Sequence, residues 1–242
     1  MKLLFCGVIS CLLATLAVGT PPEYKEFLLK AHNDLRRQIA LGKTPNQPAA
    51  ANMIEMVWDD ALAGKSEEWA GKCIAGHDTY DDRALDKFMF VGQNMFAGSN
   101  YKEVVQGWYD EYKDYTYEGK GCSAVCGHYT QVAWAKSYAV GCAAVNCKEK
   151  TGGSFAYGWL FICNYGPAGN FNDEAPYEVG AACSKCPKGT SCKNNLCALD
   201  DPKGTLEFDE EKRRKRHKGH HKRHAGHHKR HAGHHKRHAG HH

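Results

Sequence analysis

Between Glu23 and Leu41 the apolar residues Phe27, Leu28, Ala31, Leu35 and Ile39 recur at helical spacing, and Gly42 supplies a stop. The pattern predicts an amphipathic helix opened by Pro21 and Pro22. A loop with two prolines, Lys43–Pro48, follows. After Val57-Trp58, the carboxylates of Asp59 and Asp60 can cap a second helix that turns Leu62, Ala63, Trp69, Ala70 and Cys73 inward. Ser99 or Asn100 can cap a third, with Val104, Val105, Trp108 and Tyr112 on its buried stripe. Residues 76–98 read as mixed loop and strand. From Val140 the period changes. Val140–Val145 and Phe155–Asn164 are rich in Val, Ala and aromatics and are separated by the turn-like Lys150-Thr151-Gly152-Gly153, the pattern of an antiparallel hairpin. Helices first and strands afterwards predict an α+β domain with helices packed on an antiparallel sheet.

Composition adds boundaries to this pattern. Lys2, the apolar run Leu3–Val18 and the small residues Ala17 and Gly19 read as a signal peptide over 1–19, so the mature chain is expected to begin near Thr20 and to be secreted. The run is too short for a membrane span, and no later stretch approaches the roughly 18 apolar residues a span needs. With 242 residues there is room for one main core, placed at 20–175. Residues 176–197 form a small module dependent on its cysteines, 198–211 a polar linker, and 212–242 a low-complexity tail. Of the 12 cysteines, Cys6 and Cys11 fall in the leader, and the ten that remain fit five disulfides formed in an oxidising compartment.

Charge is divided just as unevenly. Twelve Lys/Arg and no acid fall in 212–242, so the net +5 of the whole chain leaves −7 for residues 1–211. Sequence-specific nucleic-acid binding by the acidic body is excluded on this balance, whereas the tail suits any polyanion, a glycosaminoglycan or an anionic membrane surface included. The tail repeats His-His-Lys-Arg-His-Ala-Gly three times. Its residues His220, His221, His224, His227, His228, His231, His234, His235 and His238 can chelate Zn²⁺, Cu²⁺ or Ni²⁺ and take up protons as pH falls towards 6. Ahead of the repeats, Arg213-Arg214-Lys215-Arg216 matches the pattern cut by furin-like proprotein convertases.

Three runs carry a family resemblance. Gly127-His128-Tyr129-Thr130-Gln131-Val132-Ala133-Trp134 with Ser137 resembles the first signature of the CAP superfamily, and Leu160–Phe171 resembles the second. His32-Asn33-Asp34-Leu35-Arg36 is similar to the first-helix motif. Within the superfamily, "CSAVCGHYTQVAWAKSYAVGCA" is similar to the glioma pathogenesis-related-like branch, and "CSKCPKGTSCKNNLC" to the hinge that follows the domain in cysteine-rich secretory proteins. The resemblance covers about residues 24–197 and implies an α-β-α sandwich with a small disulfide-stapled C-terminal module. By family likeness Cys73 pairs with Cys147, Cys142 with Cys163, and Cys122 with Cys126. The four hinge cysteines allow three connectivities, of which the family pattern favours Cys183–Cys192 and Cys186–Cys197. Six further cysteines after Cys197, needed for an ion-channel-regulatory domain, are absent, which argues against channel block.

The same resemblance implies a cleft lined by His77, Gln93, Glu111 and His128. Gln93 departs from the Glu of the usual "GEN" motif, and a neutral amide is a weak fourth ligand for Zn²⁺. A divalent ion bound by His77, Glu111 and His128 is expected to be held less firmly than at a full tetrad, and Gln93→Glu to strengthen it; no cofactor is required. For hydrolysis the sequence supplies a base but no nucleophile motif, Ser66 and Ser123 reading as a helix and a loop residue. The expectation is a non-enzymatic binding protein for a protein or a lipid such as a sterol. The candidate lipid loop is Tyr112, Tyr115 and Tyr117, whose rings combine an apolar body with a polar tip. The alternatives are a metal-dependent hydrolase at the His77/Glu111/His128 cleft and a secreted toxin or immune-modulating ligand.

Overall fold

A computed structural model describes residues 22–206. The leader, the Arg213–Arg216 cluster and the histidine tail lie outside the described residues. The first predicted stripe is helix α1 (Pro22–Ala40), which buries Leu28, Leu35 and Ile39. A two-residue strand β1 (Val57–Trp58) leads into helix α2 (Asp60–Ala70). The Asp59 carboxylate caps α2 by accepting from the amides of Ala61 and Leu62, as the sequence predicts. Its buried residues are Leu62, Ser66 and Ala70, while Ala63 and Trp69 are only half-buried. Ser66 is tolerated inside because its hydroxyl donates to the Leu62 and Gly141 carbonyls.

Strand β2 (Gly92–Gly98) follows, and Asn100 rather than Ser99 caps the short 3₁₀ turn Tyr101–Glu103 that opens helix α3 (Val104–Asp110). The chain then passes through strands β3 (Tyr115–Thr116) and β4 (Gly121–Cys122) to helix α4 (Gly127–Val132). Strand β5 (Ala139–Asn146) and strand β6 (Trp159–Gly166) form the predicted hairpin. Between them lies a single helical turn, α5 (Cys147–Lys150), and Gly152 and Gly153 take the positive φ angles of the turn. Phe155, expected in the strand, is buried in this connection instead.

The main sheet has the order β1-β5-β6-β2, with β1 parallel to β5 and the other pairs antiparallel. Side-chain alternation splits its residues between two layers. Val140, Cys142, Ala144, Phe161, Cys163 and Tyr165 join the core with α1, α3 and α4; Ala143, Val145, Leu160 and Ile162 face Ala70 of α2. The α-β-α sandwich implied by the resemblance is therefore present. Gly141 is where the α2 layer comes closest: a Cβ there would lie 2.2 Å from the Ala63 amide nitrogen and 2.4 Å from the Asp59 carbonyl oxygen. Only glycine admits that approach.

The C-terminal module is a hairpin of strands β7 (Thr190–Lys193) and β8 (Leu196–Leu199). All four residues of β8 are buried, so Ala198 and Leu199, read from the sequence as the start of a polar linker, belong to the packed structure. The module is also sewn to the main domain, since the Glu55 amide donates to the Cys197 carbonyl and the Cys197 amide to the Met53 carbonyl. Leu206 packs against the same cluster.

Candidate functional site

Strand β2 lies at the edge of the sheet, and successive side chains point to opposite layers. Gln93 lies on the α2 side, where the segment after α2 brings His77 and Asp78 to it. Asn94 lies on the other side and donates to the His128 carbonyl. The four residues implied by the resemblance thus assemble as two pairs around one strand edge. His77 Nδ1 is 2.7 Å from Gln93 Oε1, and His128 Nδ1 is 2.6 Å from Glu111 Oε1. The other oxygen of Glu111 accepts from the amides of His128 and Tyr129 at 3.0 and 3.2 Å, anchoring the carboxylate to the start of α4. Trp108 stacks on the His128 ring with an interplanar angle of 16°.

Glu111 and the Gln93 carbonyl oxygen can only accept, so each imidazole donates its Nδ1 hydrogen, and in the neutral ring this tautomer carries its lone pair on Nε2. Two such nitrogens suit a soft or borderline divalent cation. Gln93 and Glu111 act behind them as orienting groups, because their nearest oxygens are already occupied by the rings. Among the described residues, the group of three or more His, Cys or acidic donors gathered within 4.8 Å is Cys183, Cys186 and Cys197, and these sulfurs are in disulfides. His77, Glu111 and His128, the three ligands implied by the resemblance, do not form such a group.

The chain matches the family described as CAP: Cysteine-rich secretory protein family over residues 29–165. It belongs to the CAP family. It is 37% identical to human GLIPR1-like protein 1 over 198 residues, which covers 77% of this chain and 78% of that protein. Mouse glioma pathogenesis-related protein 1 is 37% identical over 189 residues, covering 76% and 68%. Among solved structures, Schistosoma mansoni venom allergen-like protein 4 superposes with a TM-score of 0.59 at 26% identity, covering 69% of this chain and all of that one. NaASP2, solved with Zn²⁺, superposes with a TM-score of 0.61 at 26% identity, covering 74% and 97%.

With the CAP domain recognised, its signature runs resolve into a buried polar framework under the cleft. Arg36 is fully buried without a carboxylate, and its five N–H groups reach the carbonyls of Ile54, Val132, Trp134 and Ala135 at 2.6–3.1 Å. Burial lowers this guanidinium to about 9, so it remains a cation at neutral pH. His32 donates from Nδ1 to the Leu28 carbonyl and accepts the Tyr165 hydroxyl at Nε2, and Asn94 donates to that same hydroxyl. Desolvation pushes His32 down to about 4. Gln131 donates to Ser137 and accepts from the Gly169 amide; a Cβ on Gly92 would strike its Oε1 at 2.1 Å. These residues hold the strand and helix that carry the cleft.

All five implied disulfides are present: Cys73–Cys147, Cys122–Cys126, Cys142–Cys163, Cys183–Cys192 and Cys186–Cys197. Cys142 and Cys163 face each other directly across β5 and β6. The tyrosines of the candidate lipid loop pack their rings against the core. Tyr115 is buried beside Tyr129, Tyr112 contacts Tyr109 and Tyr129, and the Tyr117 hydroxyl donates to the Tyr177 carbonyl. Burial raises the Tyr115 hydroxyl to about 12. A cavity of about 310 Å³ opens next to Tyr115, lined also by Lys120, Trp134, Phe171 and Asp173. Asp78 and Arg83 are the site residues that the sequence reading missed; the signal available was an Asp directly after His77.

Proposed function

We propose that this CAP protein is exported and acts as a non-enzymatic binding protein. Its domain engages a protein or lipid partner, the cleft takes a divalent cation weakly through Nε2 of His77 and His128, and the tail attaches it to polyanions or to Zn²⁺, Cu²⁺ or Ni²⁺. The observation that carries the cleft reading is the matched pair of imidazoles, each with Nδ1 engaged and Nε2 left for a ligand. The Zn²⁺ solved with NaASP2 supports the same reading. Export is supported by the apolar leader and the five disulfides. Among the described residues, no helix is long and apolar enough to cross a membrane.

Binding is favoured over hydrolysis because both oxygens of Glu111 are already engaged, accepting from the His128 ring and from the amides of His128 and Tyr129. Ser66 is buried on the sheet-facing side of α2, and Ser123 bonds to Asp114, so neither is presented to the histidines as a nucleophile.

The test is a Zn²⁺ titration of the full chain read by ¹⁵N–¹H correlations of the histidine rings, which separate the cleft from the tail. Nε2 of His77 and His128 should shift together at Zn²⁺ concentrations well above those that saturate the tail. If the tail alone responds, the cleft does not bind cation.

A further inference from the structure

Behind His77 stands a buried ion pair that the cleft does not share with its other half. Arg83 and Asp78 have side chains only 6% and 3% exposed, and Arg83 Nη1 is 2.5 Å from Asp78 Oδ1. Arg83 is itself pinned, since Nε donates to the Val91 carbonyl and Nη1 also donates to the Asp78 carbonyl. The same Oδ1 accepts from Gln93 Nε2 at 3.1 Å. A second acceptor, Asn164 Oδ1, lies 3.0 Å from that nitrogen, opposite Gln93 in the strand pairing.

A carboxylate has no hydrogen to give. Gln93 must therefore turn its NH₂ towards Asp78 and Asn164, which leaves Oε1 for His77 and requires His77 to carry its hydrogen on Nδ1. Glu111 imposes that tautomer on His128 directly; Asp78 imposes it on His77 across one intervening amide. The two halves of the cleft are the same device built with different reach.

We infer that Asp78 is the positioning residue of the cleft: held by Arg83, it fixes Gln93 and through it the tautomer of His77, and it is the reason position 93 carries an amide. A Glu at 93 would set its carboxylate about as close to Asp78 as the amide nitrogen now is, in a partly buried place where like charges repel strongly. The inference deepens the cation reading and rests on it only for the use to which the exposed Nε2 is put.

Both parts can be measured in the full chain without metal. The long-range ¹⁵N–¹H pattern of His77 should show the Nδ1–H form in the native protein and a mixture of the two forms in Asp78→Ala, which leaves Gln93 only the Asn164 amide, a group able to accept or donate. Should Asp78→Ala fail to fold because Arg83 is left unpaired, Gln93→Met serves instead, removing the acceptor while the ion pair stays, and it should release the same tautomer mixture. For position 93, Gln93→Glu should lower Tm by roughly 5 °C in the native background and by much less in the Asp78→Ala background, where the neighbouring carboxylate is gone. A His77 that stays wholly in the Nδ1–H form in these variants overturns the relay. Equal Tm losses in the two backgrounds, or none in either, overturn the account of the amide. If the tautomer is locked but Zn²⁺ moves neither cleft ring, the relay stands and the cation reading fails. If both hold, Asp78→Ala should weaken cleft Zn²⁺ binding about tenfold.

Discussion

At the scale of single residues, the least expected feature is how many polar groups the core accepts without a countercharge. His32 is fully buried and neutral, and its two ring nitrogens are satisfied by the Leu28 carbonyl and the Tyr165 hydroxyl. Its folded value of about 4 lies below the ordinary 6.5. Between those values the unfolded chain binds a proton that the folded chain refuses, so stability is full above pH 6.5 and declines as pH falls towards 4. The loss from this residue alone should approach about 3 kcal/mol. Urea unfolding at a series of pH values should show this slope in the native protein, and His32→Gln should flatten it; an unchanged slope would mean that His32 does not refuse the proton. Arg36 makes the converse case. Lysine at 36 keeps the charge but has three donors in place of five and no planar fork, leaving carbonyls of the 132–135 segment unpaired in a dry site. Arg36→Lys is expected to cost about 3 kcal/mol or more in the same assay. The motif containing both residues was legible in the sequence, and so was the helix that bears it. Most of their partners were not, because Tyr165, Val132, Trp134 and Ala135 lie 96 to 133 positions away along the chain.

At the scale of elements, hydrophobic period located the helices and the central hairpin to within a few residues, since amphipathic stripes and Val-rich runs are local signals. What escaped was set by contacts between elements. Ser66 is inside because a carbonyl of β5 accepts from it, and Phe155 is buried in a connection because the α2 layer extends past the strand ends. Gln93 was read by analogy as a weakened metal ligand. Its orientation follows from the carboxylate at 78, which no spacing rule connects to it. The contact of α2 with the sheet supplies a paired test. Gly141→Ala would drive a methyl into the backbone of Ala63 and Asp59, which cannot yield without lifting the helix. A cost of about 3 kcal/mol is expected, at the upper end for overpacking. Gly64 lies within α2 itself, with nothing within 4 Å of an added Cβ, so Gly64→Ala should raise stability by about 0.5–1 kcal/mol through helix propensity. Thermal unfolding of the two variants should move Tm in opposite directions, and a fall in both would show that α2 is seated differently.

At the scale of the whole molecule, the chain joins an acidic body to a basic tail through a module that is firmly docked. The body retains three of the 15 histidines, and of these His32 stays neutral down to about pH 4 because it is buried. The other twelve lie between residues 217 and 242, beside twelve Lys/Arg counted from 212. With an ordinary imidazole value near 6.5, the twelve contribute about one charge at pH 7.5 and about eleven at pH 5.5, so the tail rises from roughly +13 to +23. Affinity for a polyanion depends on the number of cations that displace counterions, and so does its sensitivity to salt. The salt concentration needed to elute the intact protein from heparin should therefore increase as pH is lowered from 7.5 to 5.5. A chain ending after Leu206, which keeps the last residue packed on the body, should elute early at both pH values. Cutting after Arg216 removes all twelve tail histidines but leaves five Lys/Arg of the 212–216 cluster. That form should bind heparin with an intermediate strength that no longer responds to pH. Elution that is the same for all three chains would place the polyanion site on the folded body, against its net acidic charge, 19 Lys/Arg to 23 Asp/Glu over residues 22–206.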